Sequence, residues 1–325
     1  MDGFNSDVKK FDSKKIPHLL LTEKDKAKLN SPLHRLLNQF EVCDQLAIYF
    51  QKRTYVYYFA IFLFSFLTVF FYDIYGTLIP TAPYRSELYC ASLFLAFLTY
   101  LATFKQDYEN KYFDYRALAE GMRVQFFWSL MDLERSVSDH YLHKTENELI
   151  WIRGALRAWH LKALENTEAS NLSIKERLEI TFQGWVTNQN HYFSRAGTRE
   201  NKQWQFLKYS SSILLIFAGV FAVLRVFVKT QQGWILAATG LAPAIGALMK
   251  GYIQKRGLPE HVKQYGRMSE LYLLAQKYYE NLGTREDQYE DAMGLIQELG
   301  KEALAENSEW VLLHRERRVT FPKPK

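Results

Sequence analysis

The hydrophobic positions of this chain gather into four uncharged runs set in a polar sequence. Tyr55–Tyr72, Leu88–Phe104, Tyr209–Leu224 and Gly233–Met249 contain no Asp, Glu, Lys, Arg or His. Each run is 16–18 residues long, near the lower limit for a helix crossing a hydrocarbon core of roughly 30 Å. They come as two pairs, each pair closed by a short loop. The pattern predicts an all-α, four-pass membrane protein with two transmembrane hairpins. Four core helices of a soluble protein are the alternative, and both the pairing and the charge distribution argue against it.

Outside the hairpins the period changes from uninterrupted apolar to amphipathic. Ser31–Gln51 carries Leu33, Leu36, Leu37, Phe40, Leu46 and Ile48 at helical spacing and leads into the first run. Lys105–Glu120 holds neither Pro nor Gly, so the second run is expected to continue as one helix. The proline-free stretch Lys105–Lys208 places Leu118, Met122, Phe126, Leu130 and Leu133 on a helical face and reads as a helical cytoplasmic domain. Glu165–Glu176 reads as a loop running into a helix capped by Ser173. Pro259–Leu282 and Arg285–Ser308 are further amphipathic helices, with a short extended piece at 319–321. The resulting organisation is a polar, loosely held arm (1–30), a first hairpin with flanking helices (31–132), a helical cytoplasmic region (133–200), a second hairpin with flanking helices (201–282), and a C-terminal helix with a basic tail (283–325).

The two halves repeat this order, which suggests a tandem duplication. Lys105 and Lys255, Tyr115 and Tyr265, Glu120 and Glu270, and Trp128 and Tyr278 all share an offset of 150 residues.

Charge sets the orientation. Fifteen Lys and Arg flank the outer ends of the hairpins, against Arg85, Arg225 and Lys229 in the two turns. Basic residues concentrate on the cytoplasmic side, so both termini and the central region are expected there. Met1–Lys10 lacks the apolar core of a cleavable signal. Tyr55, Tyr57, Tyr58, Tyr72 and Tyr75 sit near the ends of the first run, as interfacial rings do. Cys43 and Cys90, the two cysteines, fall in different regions and predict neither a disulfide nor a thiolate metal site.

Candidate chemistry is sparse. No phosphate-binding loop, dinucleotide fingerprint, zinc-protease helix or nucleophile elbow occurs, and His140 with His143 has no further ligand at a metal-site spacing. No enzyme activity, metal or cofactor is expected. The fourth run is rich in small residues, with Gly240 and Ala244, Ala242 and Gly246, and Ala247 and Gly251 each four apart around Pro243. Such spacing lets helix backbones approach closely; it serves an oligomer interface, a pore lining, or packing within one subunit. No ionisable residue lies inside any run, which argues against a proton-coupled transporter.

Two basic segments are candidate sites for an anionic ligand. Arg153 and Arg157 lie one turn apart beside Trp151, a pairing suited to phosphates and stacked bases; an ordinary amphipathic helix is the other reading. His314, Arg315 and Arg317 form the second cluster, for an anion or lipid headgroups, with a solvated basic tail as the alternative.

Three segments carry a family resemblance: Tyr115–Trp128 (YRALAEGMRVQFFW), Trp151–Trp159 (WIRGALRAW) and Glu302–Arg317 (EALAENSEWVLLHRER). With the hairpins, the chain resembles the SLATT-like bacterial membrane proteins over most of residues 35–320, the first segment being the most specific through Tyr115, Arg116, Glu120, Arg123, Gln125 and Trp128. It is similar also to four-pass channel effectors of the Hailong type. The resemblance implies a homo-oligomeric pore effector of anti-phage defence in the bacterial inner membrane. Its control would come from a nucleotide or short single-stranded DNA ligand made by a nucleotidyltransferase encoded nearby. The chain departs from the simple pattern in having two hairpins and no recognisable sensor domain.

Overall fold

Helix-forming periods dominate the sequence, and the computed structural model is accordingly helical, with no strand among the described residues. These are residues 2–10, 20–79, 81, 83–141, 149–164, 172–227, 233–282 and 288–316. The helices are α1 (Asp2–Lys10), α2 (Glu23–Lys26), α3 (Ser31–Val69), α4 (Gly76–Leu78), α5 (Arg85–Gln106), α6 (Tyr108–Leu130), α7 (Ile150–Leu164), α8 (Ile174–Thr181), α9 (Asn188–Phe227), α10 (Gly233–Arg256), α11 (Leu258–Leu282) and α12 (Gln288–Glu316). Four helical stretches are long and apolar enough to cross a membrane: Ser31–Asp73, Arg85–Leu130, Ile174–Phe227 and Gly233–Arg256.

The chain divides into two compact units. The first comprises Met1–Gln51, Glu109–Arg195 and Gln264–Lys325; the second comprises Lys52–Tyr108 and Ala196–Lys263. Both α3 and α9 contribute their opening turns to the first unit and their apolar ends to the second.

In the first unit α6 is the central helix, buried on all sides from Ala117 to Trp128. A helix surrounded this way is ordinarily apolar all round, yet α6 keeps Glu120, Arg123 and Gln125 inside. Leu118, Met122, Phe126, Phe127 and Trp128 form the core with Leu36, Leu37, Trp185 and Tyr272. The Phe127 and Trp185 rings stack 5.2 Å apart, and Trp128 Nε1 donates to Ile296 O at 3.3 Å. Gly300 is required beneath that indole: a Cβ there would lie 2.7 Å from Trp128 Cε2. Ser173 and Glu176 close a capping box at the start of α8, as the Ser173 reading anticipated.

Residues 2–10 correct the expectation of a loose arm. They form a helix because Phe4 finds an apolar seat, buried against the rings of Tyr115 and Trp159. Asp7 accepts from Tyr115 Oη at 2.6 Å and pairs with Lys111 at 2.8 Å. The extended piece expected at 319–321 and most of the Glu165–Glu176 loop lie outside the described residues.

The second unit has few buried apolar side chains. Phe59, Phe94, Phe97, Ile216, Phe217 and Val223 are all more than half exposed, as faces in contact with lipid are. Of the four candidate spans, α10 is the most enclosed. Its small residues pack within the chain: a Cβ at Gly246 would meet Ser211 O of α9 at 3.3 Å, and one at Gly251 would meet Phe62 of α3 at 3.4 Å. Ala242 is buried, Ala244 and Pro243 are half-buried, and Ala247 is exposed.

Two boundaries differ from the sequence reading. The chain does not pass unbroken from α5 into α6, because Asp107 adopts a left-handed conformation (φ 51°) between them. Asp tolerates that region better than most residues, so the break needs neither Gly nor Pro. The first apolar helix, conversely, does not stop at Tyr72. A π-helical turn, Phe70–Tyr75, and α4 carry it on to Leu78. Asp73, expected in the hairpin turn, is instead part of the helical span.

Candidate functional site

The polar residues of the Tyr115–Trp128 segment face inward because α6 has neighbours on every side, so each must find a partner there. Glu120 is the hub. Its Oε2 lies 2.6 Å from Arg123 Nη1 and 3.9 Å from Arg116 Nη2, and Arg116 Nη1 lies 3.5 Å from Asp44 Oδ1 on α3. Both guanidinium groups also lie over rings, Arg123 over Phe40 at 5.1 Å and Arg116 over Tyr192 at 6.0 Å. Arg123 Nε is buried without a hydrogen-bond partner.

Across from this hub, α12 supplies Glu306 and Asn307. Burial and the neighbouring Glu120 carboxylate push Glu306 up to about 8, against the pull of Arg116 and Arg267. The buried Tyr141 hydroxyl lies 2.9 Å from Ala117 O and 2.5 Å from Asn307 Oδ1. Gln125 acts locally. Its Oε1 accepts from Val137 N at 2.9 Å and its Nε2 donates to Arg135 O at 3.2 Å, fixing the turn after α6. Of the polar residues of this segment, Arg116, Glu120 and Arg123 thus form one cluster with Asp44, while Tyr115 bonds to Asp7 and Trp128 to Ile296 O.

The second unit has a smaller buried cluster. Glu200 of α9 lies 2.8 Å from His261 and 3.4 Å from Arg256. Burial raises the Glu200 carboxyl, but His261 and Arg256 outweigh it and hold the group below its ordinary value. Arg256 also stacks on Tyr55 at 3.9 Å, so α3, α9, α10 and α11 meet around one guanidinium.

The two predicted anion sites are not brought together. On α7, Arg153 Nε donates to Ser138 O at 3.3 Å and Arg157 pairs with Asp139 at 3.3 Å, while Trp151 is half-buried. On α12, His314 is buried against Trp310, whose carbonyl lies 2.8 Å from its Nδ1, and Arg315 is paired with Asp114. These two residues belong to a packed helix, not a solvated tail; Arg317 lies outside the described residues.

A cleft of about 670 Å³ opens in the first unit between Leu20–Asp25, Lys28 and the Glu176–Asn188 stretch. Its lining holds Lys24 and Lys28 against Glu23, Asp25, Glu176 and Glu179, so its charge does not favour a phosphate. No group of three or more potential metal ligands occurs among the described residues.

Sequence reasoning missed Asp44, Glu306, Asn307, Tyr141, Tyr272 and Glu200. The available signal was Glu302–Arg317, which already contains Glu306 and Asn307; attention to basic residues passed over its acid and amide. Neither a family model, nor a curated protein, nor a solved structure matches the chain.

Proposed function

We propose that this chain is a homo-oligomeric ion channel, or pore, of bacterial anti-phage defence, controlled by a nucleotide or oligonucleotide bound to its first unit. The observation that supports the conducting part is Asp73, a carboxylate at the end of the first candidate span, in the π-helical turn that continues it, seated against Gly240 of α10. A membrane anchor needs only apolar spans, and an ionisable group among them is costly and, where kept, ordinarily functional. The defence role and the nucleotide signal rest on the resemblance of Tyr115–Trp128, Trp151–Trp159 and Glu302–Arg317 to SLATT-like effectors.

In this reading the protein lies in the inner membrane with both termini and the first unit cytoplasmic, as the basic flanks suggest. A tandem duplication accounts for the paired hairpins. It gains support from the left-handed breaks at Asp107 and Gly257, which end the second helix of each hairpin 150 residues apart. The residue matches at that offset do not share environments, Trp128 being fully buried and Tyr278 48% exposed. A ligand made by a nucleotidyltransferase encoded nearby would act by binding one state of the first unit better than the other. The change would pass along α3 and α9, which run unbroken from one unit into the next.

A non-conducting membrane scaffold is the second reading, favoured by the use of Gly246 and Gly251 for contacts within the chain. Ion flux from liposomes holding the purified protein separates the two, since a scaffold leaks under no ligand. Replacing Arg153 and Arg157 together by Glu is expected to change control by added nucleotides or oligonucleotides while insertion persists. Unchanged ligand affinity and toxicity in that variant would remove α7 from the site.

A further inference from the structure

Where α9 enters the second unit it carries cations with no acid beside them. Between Ala196 and Tyr209 the basic residues are Arg199, Lys202 and Lys208. The one acid of that stretch, Glu200, is turned inward, buried between His261 and Arg256. Among the described residues no carboxylate pairs with Lys202 or Lys208, and both are exposed.

Lys208 is nevertheless held in place. Its Nζ lies 5.3 Å from the centre of the Trp204 ring and 5.8 Å from that of Tyr209, so two aromatic faces fix the ammonium where α9 turns apolar. Neither Trp204 Nε1 nor the Tyr209 hydroxyl has a hydrogen-bond partner among the described residues. An ammonium, an indole N–H and a phenol O–H are thus left open together. The neighbouring helix adds a second ammonium. Gly246 of α10 packs against Ser211 O and Leu215 of α9, and α10 runs back along α9 as the other arm of the hairpin. One turn beyond Gly246, about 6 Å along the axis, Lys250 therefore stands at the level of Lys208. It too is exposed and has no ion pair among the described residues. From this level an apolar face leads away along α9: Phe206, Tyr209, Ile213, Ile216 and Val220 follow one another three or four residues apart, and all are exposed.

We infer that Trp204, Lys208 and Tyr209, with Lys250, form a binding site for the headgroup of an anionic phospholipid. Its phosphodiester accepts from the two ammonium groups and from the ring N–H and O–H, while its acyl chains lie along the apolar face. Orientation in the membrane asks for charge alone and gives no reason to clamp an ammonium between two rings. A soluble phosphate would have no use for the apolar face that continues from the cations. The site does not depend on conduction, since a channel and a scaffold alike present this face to lipid.

The test compares unfolding temperatures of the full chain in neutral detergent after adding phosphatidylglycerol or phosphatidylcholine at the same mole fraction. Phosphatidylglycerol is expected to raise the temperature more, and Lys208→Gln with Lys250→Gln to remove most of the difference. Trp204→Leu with Tyr209→Leu, which leaves every charge in place, should remove it as well; Lys105→Gln, at the exposed end of α5, should not. In the wild type, phosphatidylglycerol with bromine-labelled chains should quench tryptophan fluorescence more than equally labelled phosphatidylcholine, and Trp204→Phe should abolish that excess. A wild type lacking either the extra stabilisation or the extra quenching shows the site to be wrong, whether or not the variants fold. An equal loss in Lys105→Gln, or full retention in the ring variant, would reduce the lysines to orientation signals and overturn the site. Inorganic phosphate alone is expected to leave the unfolding temperature unchanged; protection equal to that by phosphatidylglycerol would make the ligand a free anion and sink the lipid assignment.

Discussion

Replacing Glu120 by alanine is expected to cost about 3–5 kcal/mol of stability, the penalty for removing one partner from a buried ion cluster. The direction follows from what remains. Arg123 is 5% exposed, its Nη1 donates to Glu120, and its Nε already lacks a partner. Without Glu120 that guanidinium stays buried over the face of Phe40, with no carboxylate paired to it among the described residues. Arg116 fares better, keeping Asp44. Arg116→Met is expected to be costly as well, because the buried Asp44 then loses the guanidinium 3.5 Å away. The double variant Glu120→Leu with Arg123→Met should recover much of the loss, because a matched apolar pair replaces a buried charge pair at little cost. Thermal unfolding in detergent, followed by tryptophan fluorescence through Trp128 and Trp185, reads all of these. A Glu120→Ala protein within about 1 kcal/mol of wild type would mean the cluster is not what holds α6 in place.

The second large effect is a pH dependence centred on Glu306. In the unfolded chain this carboxyl ionises near its ordinary value of 4.5; in the folded protein burial and Glu120 push it up to about 8. Between those values the unfolded state gives up a proton that the folded state retains, so stability falls as pH rises. The contribution is whole below 4.5 and lost above 8. Glu306→Gln, neutral at every pH, is expected to gain on the wild type across that window and then level off. The gain should reach a few kcal/mol, since each tenfold change in a proton's dissociation constant corresponds to about 1.4 kcal/mol. Unfolding temperatures of both proteins measured across the window check this. Parallel curves would show that Glu306 ionises as freely in the folded protein as in solvent. In a Glu120→Gln background the window should narrow from its upper end, because one of the two causes is gone.

How much of this was legible can be judged residue by residue. The four apolar runs announced their helices, since an uncharged run of that length has few other fates. The segment Tyr115–Trp128 stands out in the sequence, but the reason for it does not. Its partners Asp44 and Glu306 come from α3 and α12, far away in sequence, and only tertiary structure supplies them. Asp73 reads as the start of a turn, whereas the π-helical turn Phe70–Tyr75 carries the helix past it and Gly240, far away in sequence, makes room for its side chain. Asp107 escapes for the opposite reason, because a left-handed residue that is neither Gly nor Pro leaves little trace in a sequence. The two units are likewise hidden, since their boundaries at Gln51 and Arg195 fall in the middle of continuous helices.

The distribution of sulfur has a practical corollary. Cys43 is fully enclosed, and burial raises its thiol well above the ordinary range, so it is slow to form the reactive thiolate. Cys90, on the first hairpin, is exposed, and both cysteines are free. A fluorophore carried by a maleimide would therefore attach at one place on the unmodified polypeptide. Its quenching by reagents added to one face of a vesicle or the other would report, without any mutagenesis, which way round the first hairpin inserts.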